Sequence, residues 1–223
     1  MSDIAKVKEI RERTDAGFGA CKSALKEASG DIEAAIDIIR KRSAAKASTK
    51  LDRQASEGRI VFAVSEDRKS GSIVEVNVET DFASRHERFD EFCGNVAQRA
   101  IELGSRVIQE MDDERRAFIG IIGENVRIRR AQNLSSSDGV VGGYVHVNHE
   151  YGAIVELSGG NQKLAADIAL HVTAMRPLAV SGDDLPREVL ERERSISRER
   201  ALESGKPEKI VDRIVEGQLR RFL

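Results

Sequence analysis

The chain contains two copies of one pattern. Glu57 and Gly58 open a strand pair that reaches Gly71, Ser72, Ile73, Val74, Glu75 and Val76. Asp138 and Gly139 open another that reaches Gly152, Ala153, Ile154, Val155, Glu156 and Leu157, 81 positions further on at both ends. Each copy runs into apolar residues spaced three and four apart, as on one face of a helix. These are Phe89, Phe92, Cys93, Val96, Ala97 and Ala100 in the first, and Leu164, Ala165, Ile168, Ala169, Val172 and Met175 in the second. A β-hairpin must hide its apolar face under something, and the helix that follows it is the nearest cover. The core is therefore expected to be two related subdomains, each an antiparallel sheet covered on one side by helix, within an α+β fold.

The copies differ at one place. After its second strand the first continues with Val78, Glu79, Thr80, Asp81 and Phe82, whereas the second has Ser158, Gly159, Gly160 and Asn161, a plain turn. If the acid and the aromatic served only to finish a sheet, the second copy should need them too. Phe82 falls where the chain leaves a strand and enters a helical pattern beginning near Phe89, a position from which a side chain can be presented outside the core. Taken by itself, the segment also allows Phe82 to be a cap on the end of the sheet. With seven Phe, two Tyr and no Trp in 223 residues, large aromatics are scarce, and each needs a reason.

The first 40 residues carry three short helical stripes: Ile4, Val7 and Ile10; Cys21, Ala24, Leu25 and Ala28; Ile32, Ala35, Ile36 and Ile39. Turn residues at 14–17 and 29–31 separate them, and Asp31 is placed to cap the third. Helices this short can bury one another only as a triangular bundle. Phe18, just after the first turn, resembles the loop residue by which ubiquitin-associated-type bundles contact partners, and it is equally placed to plug the bundle core. Residues 40–56 scatter Arg40, Lys41, Arg42, Lys46, Lys50 and Arg53 among Ala, Ser and Thr. They read as an exposed helix or linker without a buried face; RNA phosphate contact is the lesser alternative, because no stacking aromatics are interleaved. Between the two copies, 112–122 reads as an amphipathic helix, Gly123 as a turn, and 126–130 as a half-buried strand with Arg127 and Arg129 outward. From Leu185 onward, two amphipathic helices joined by a turn at 204–207 make an antiparallel hairpin. The expected division is a bundle with its basic linker (1–54), a first core subdomain (55–137), a second (138–181) and a helical hairpin (182–223).

Composition removes several function classes. Acidic and basic residues nearly cancel, 38 against 36, so no global field favours nucleic acid, and a protein partner is expected. No apolar stretch approaches the roughly 20 residues that span a bilayer, and the N-terminus, acidic at Asp3 and Glu9, lacks a signal peptide's apolar segment, so a cytoplasmic location is expected. Cys21 and Cys93 have neither Cys-x-x-Cys spacing nor a nearby His and read as small buried hydrophobes. His146 and His149 stand three apart, so strand alternation would send them to opposite faces. Phosphate-binding and nucleophile motifs are missing, Gly142 and Gly143 read as hairpin material, and neither a cofactor nor an enzymatic activity is expected.

Four segments together resemble the bacterial elongation factor Ts family along all 223 residues. They are Arg11 to Thr14 with Cys21 and Lys22; Glu75 through Phe82; Ile122 through Val126 with Arg129 and Arg130; and Ser204 through Pro207 with Val215, Glu216 and Gly217. The resemblance implies a guanine-nucleotide exchange factor for the GTPase elongation factor Tu. It implies that Thr80, Asp81, Phe82 and Ala83 form a tip that enters the GTPase domain and dislodges the magnesium holding GDP. Ile122 would help to grip that domain, His146 would contact the partner from the second subdomain, and Arg11 and Phe18 would touch it from the bundle. Ala20 and Ala83 depart from the family pattern, which has an acid and a Val there. Long members continue past the position of Phe222 through strands that complete the second subdomain; without them its sheet is expected to keep an open edge. A non-catalytic adaptor of the ubiquitin-associated type is the alternative function.

Overall fold

Three helices open the chain: α1 (Asp3–Thr14), α2 (Phe18–Glu27) and α3 (Ile32–Ser48). The computed structural model describes residues 2–14, 16–205 and 207–222; Asp15 and Lys206, both assigned to turns from sequence, lie outside the described residues. The three stripes meet as their spacing predicts except at Ile4, which is exposed near the start of α1; Val7, Ile10, Cys21, Leu25, Ile36 and Ile39 are buried in one cluster. Asp31 caps α3 by accepting from the Ala34 amide at 2.9 Å, a contact typically contributing about 1 kcal/mol.

α3 corrects the reading of residues 40–56. The helix runs on to Ser48, Ala47 is 1% exposed, and Leu51 packs against the central core. The physical reason is close backbone approach. A Cβ built on Gly120 of α7 (Asp112–Ile122) would lie 2.5 Å from the Ser43 Cβ, so the two helices meet through their smallest residues. A stretch without large apolar side chains can still be buried when its backbone lies against another.

β1 (Glu57–Val64), β2 (Ser70–Val78) and β3 (Val126–Ser135) form an antiparallel sheet in that order. Glu57 pairs with Val78, Val64 with Gly71, and Val78 in turn with Val126. A bulge interrupts β2–β3: Glu75 faces Arg130 while Val76 faces Ile128, leaving Arg129 as the extra residue. Arg127 and Arg129 are exposed, and Val126 and Ile128 buried, as the alternation requires. The sheet is covered by α5 (Glu87–Leu103), which follows the short α4 (Asp81–Ser84) and leads through a 3-10 turn, Gly104–Arg106, into α6 (Val107–Glu110). Phe89, Phe92, Cys93, Val96, Ala97, Ala100 and Ile101 of α5 are buried, and Phe92 stacks on Phe118 of α7 with ring centroids 4.6 Å apart.

β4 (Val140–Val145) and β5 (Gly152–Leu157) form the second antiparallel sheet, followed by α8 (Gln162–Met175). Gly142 and Gly143, read as hairpin material, lie inside β4 of this hairpin and face opposite ways. A Cβ on Gly142 would come within 2.5 Å of Ala165 Cβ on α8, and one on Gly143 within 2.6 Å of the Phe62 ring on β1. Helix and first sheet thus close on β4 from its two sides. The expected apolar stripe of α8 is buried along Ala165 and Ala169, whereas Leu164 and Met175 are exposed.

Residues 1–174 form one compact unit and residues 175–223 a second. In the second, α9 (Arg187–Glu203) and α10 (Glu208–Phe222) make the expected hairpin, with Ala201 packed among Val211, Val215 and Leu219 and with Arg198 paired to Asp212.

Candidate functional site

The segment after β2 is a short helix held by its surroundings. Thr80 has extended backbone angles and caps α4, its hydroxyl accepting from the Ala83 amide at 3.2 Å. Four residues cannot sustain a helix by their own hydrogen bonds. Here Ser84 donates to the Asp81 carbonyl at 2.8 Å, Arg59 Nε donates to the Ser84 carbonyl at 2.6 Å, and Ala83 and Ser84 are buried. Phe82 is 84% exposed. The sheet-cap alternative is thereby excluded, since a capping ring would be covered. Burying such a ring would gain about 2 kcal/mol that the isolated chain forgoes.

Asp81 stands beside it with a half-exposed carboxylate 3.3 Å from Arg85 Nη2, a pairing that solvent keeps weak. Ala83 differs from the sequence expectation of a presented residue: it is 7% exposed and belongs to this chain's central core cluster, so its contribution is to anchor α4.

Ile122 ends α7 and is half-buried against the same cluster. Gly123 follows in the left-handed region at φ 82°, which turns the chain and brings Glu124 under the tip. Glu124 Oε2 accepts from the Thr80 amide at 2.9 Å, and its Oε1 accepts from the Thr80 hydroxyl at 2.7 Å. Reciprocally, Glu79 Oε1 accepts from the Asn125 amide at 2.6 Å. Asn125 is fully buried, and its Nδ2 donates to the carbonyls of Leu51 and Arg53 at 3.1 and 2.7 Å. The base of the tip, the turn after α7 and the chain leaving α3 are thus cross-linked. Sequence reasoning assigns no role to Glu79, Glu124, Asn125 or Arg59. Glu79, Glu124 and Asn125 lie within the quoted segments, but nothing in their spacing shows which partner each polar group faces.

His146 is exposed in the turn between β4 and β5, so strand alternation does not govern it or His149. Its amide donates to the Tyr151 carbonyl at 2.8 Å, and its Nδ1 lies 3.1 Å from the Tyr144 hydroxyl. The turn is fastened to the first sheet by the Ile60 amide, which donates to the His149 carbonyl at 2.8 Å. A polar cleft of about 720 Å³ runs between this turn and the base of the tip, bordered by Asp81 and Arg85 at one end and by Val147 to Glu150 at the other. Arg11 is exposed on the last turn of α1. Phe18 begins α2 and is 50% exposed, which excludes it as a core plug. Both belong to the bundle, whose core is separate from the cluster beneath the tip.

Among the described residues no group of three or more His, Cys, Asp or Glu side chains could hold a metal, and no helix is long and apolar enough to cross a membrane. Both cysteines are buried and unbridged, and burial pushes the Cys93 thiol up to about 12. The site offers an aromatic wedge and a neighbouring carboxylate on a braced base, which suits pressing into another protein.

The family model described as Elongation factor TS matches residues 79–223. The chain is 44% identical to Elongation factor Ts of Hahella chejuensis (strain KCTC 2396), over 97% of this chain and 77% of that protein. It is 41% identical to Elongation factor Ts of Thioalkalivibrio sulfidiphilus (strain HL-EbGR7) and 43% identical to that of Coxiella burnetii (strain Dugway 5J108-111), with 97% of this chain covered in both and 78% and 77% of the relatives.

Proposed function

The chain belongs to the elongation factor Ts family, and from that membership we propose that it is a guanine-nucleotide exchange factor acting on the GTPase elongation factor Tu in the cytoplasm. The observation that carries this reading is Phe82, 84% exposed on a helix whose base is tied down by Thr80, Ser84 and Glu124. Phe82 enters the GTPase domain with Asp81 beside it, and the magnesium that bridges GDP to that domain is dislodged. No bond of the nucleotide is made or broken, so the factor is not an enzyme and holds no cofactor of its own. Exchange follows from differential binding: a factor that binds the nucleotide-free partner more tightly than the GDP form speeds GDP loss, and reciprocity lets incoming nucleotide expel it. Ile122, His146, Arg11 and Phe18 supply contacts to the same partner, with no nucleic acid involved.

The test is release of a fluorescent GDP from elongation factor Tu, followed by stopped flow with and without this chain. The native chain is expected to accelerate release, and Phe82→Ala to lower the stimulated rate at least about tenfold, a loss of about 1.4 kcal/mol or more of coupling. Equal rates for the two would exclude the tip as the exchange element. A second reading, an adaptor that binds a protein through its bundle, is favoured by the half-exposed Phe18 alone. It predicts complex formation with no change in GDP release.

A further inference from the structure

We propose that Glu124 is the positioning residue of the tip, holding Phe82 ready before any partner is met; the inference rests on the exchange reading and assigns this residue its part in it. Thr80 is the hinge through which the chain leaves β2 and enters α4, and both of its donors end on one carboxylate, the amide at 2.9 Å and the hydroxyl at 2.7 Å. A carboxylate only accepts. The Thr80 proton is therefore directed at Glu124, which leaves a lone pair on the same oxygen for the Ala83 amide at 3.2 Å. The relay from Glu124 through the Thr80 hydroxyl to Ala83 fixes the first turn of a four-residue helix whose second residue is Phe82.

The carboxylate is itself held. Its neighbour Asn125 is fully buried, donates its amide to Glu79 at 2.6 Å, and clasps the carbonyls of Leu51 and Arg53. Residues 79 and 80 are thus crossed with 125 and 124, each strand end giving one acid to the other's backbone amide. A base braced in two directions removes the ordering entropy that a loose tip would lose at the moment of insertion. Glu124→Gln keeps the size of the side chain, but with its oxygen on the Thr80 amide it sets an NH2 against the Thr80 hydroxyl, which must turn to accept and whose proton is no longer directed at a carboxylate.

The experiment uses the full chain in two measurements. In stopped-flow release of fluorescent GDP from elongation factor Tu at rising chain concentration, Glu124→Gln is expected to lower the maximal rate at least about fivefold while shifting the half-maximal concentration less than about twofold; combining it with Thr80→Val should add little, because both cut one relay. The second measurement needs no partner. The chain has no Trp, so in a Phe82→Trp background the indole anisotropy reports the tip, and it is expected to fall when Glu124→Gln is added. An unchanged maximal rate beside an active native chain overturns the proposal, as does an unchanged anisotropy. If the native chain itself does not accelerate release, the exchange reading fails, and the anisotropy alone decides whether Glu124 positions the tip. Should Glu124→Gln lose its circular-dichroism signature of folding, Thr80→Val, which removes the hydroxyl link alone, carries the same two expectations.

Discussion

Glu75 shows how a bulge gives one side chain two partners. The extra residue in β3 leaves both Arg129 and Arg130 exposed, and each donates to one oxygen of Glu75 at 2.6 Å, with the Glu75 side chain only 12% exposed. Burial pushes this carboxyl up, but the hydrogen bonds from the two arginines outweigh it and hold the group below its ordinary value near 4.5. A depressed folded value stabilises the fold above the unfolded one, and that contribution is lost as pH falls through the folded value. Glu75→Gln should therefore lower stability at pH 7 by on the order of 1 kcal/mol, with the difference from the native chain shrinking in urea titrations repeated below about pH 4. A difference independent of pH would contradict the assignment. At this scale the sequence is legible where it can be compared with itself: Phe82 stands out because, at the offset of 81, the second copy has Asn161, Gln162 and Lys163 where the first has Thr80, Asp81 and Phe82. Glu124 did not stand out, since its partner Thr80 lies 44 residues away and no local pattern encodes a contact at that separation.

Elements are legible in the sequence where they bury large side chains and obscure where they bury small ones. The stripes of α1, α2 and α5 were found by spacing, as were the strands of both sheets. The second half of α3 reads as an exposed helix or linker because the residues it turns inward are Ala47, buried, and Ser43, half-buried, types that also fill solvated helices. Close packing makes such positions intolerant in a way that composition conceals. Gly120→Ala would gain up to about 1 kcal/mol in helix propensity, yet its Cβ would lie 2.5 Å from that of Ser43, and overpacking of this kind costs about 1–3 kcal/mol. The net expectation is a lowered melting temperature, restored in part by Ser43→Gly in the same chain. Gly94 of α5 is the control: nothing lies within 4 Å of its added Cβ, so Gly94→Ala should stabilise by about 0.5–1 kcal/mol. Thermal unfolding of the three variants by circular dichroism checks both signs, and an unharmed Gly120→Ala chain would mean that α3 and α7 can separate at little cost.

Across the whole molecule the candidate contacts are dispersed, with Arg11 and Phe18 on the bundle, Phe82 on α4 and His146 beyond β4. Residues remote from the tip should add affinity that is felt equally before and after the nucleotide leaves. His146→Ala is accordingly expected to weaken complex formation with elongation factor Tu by several-fold while altering the maximal release rate less than about twofold; titration calorimetry beside stopped flow separates the two, and undiminished affinity would remove that turn from the contact surface. The seventeen residues of α3 give the dispersion a further meaning. A helix of that length is about 25 Å of stiff rod, beginning in the bundle and ending against the core that carries Phe82. The spacing between the two candidate contact surfaces is then set like the jaws of a fixed gauge: a target whose own two surfaces match that span would gain the second contact at high effective concentration, and one that does not match would gain nothing from it.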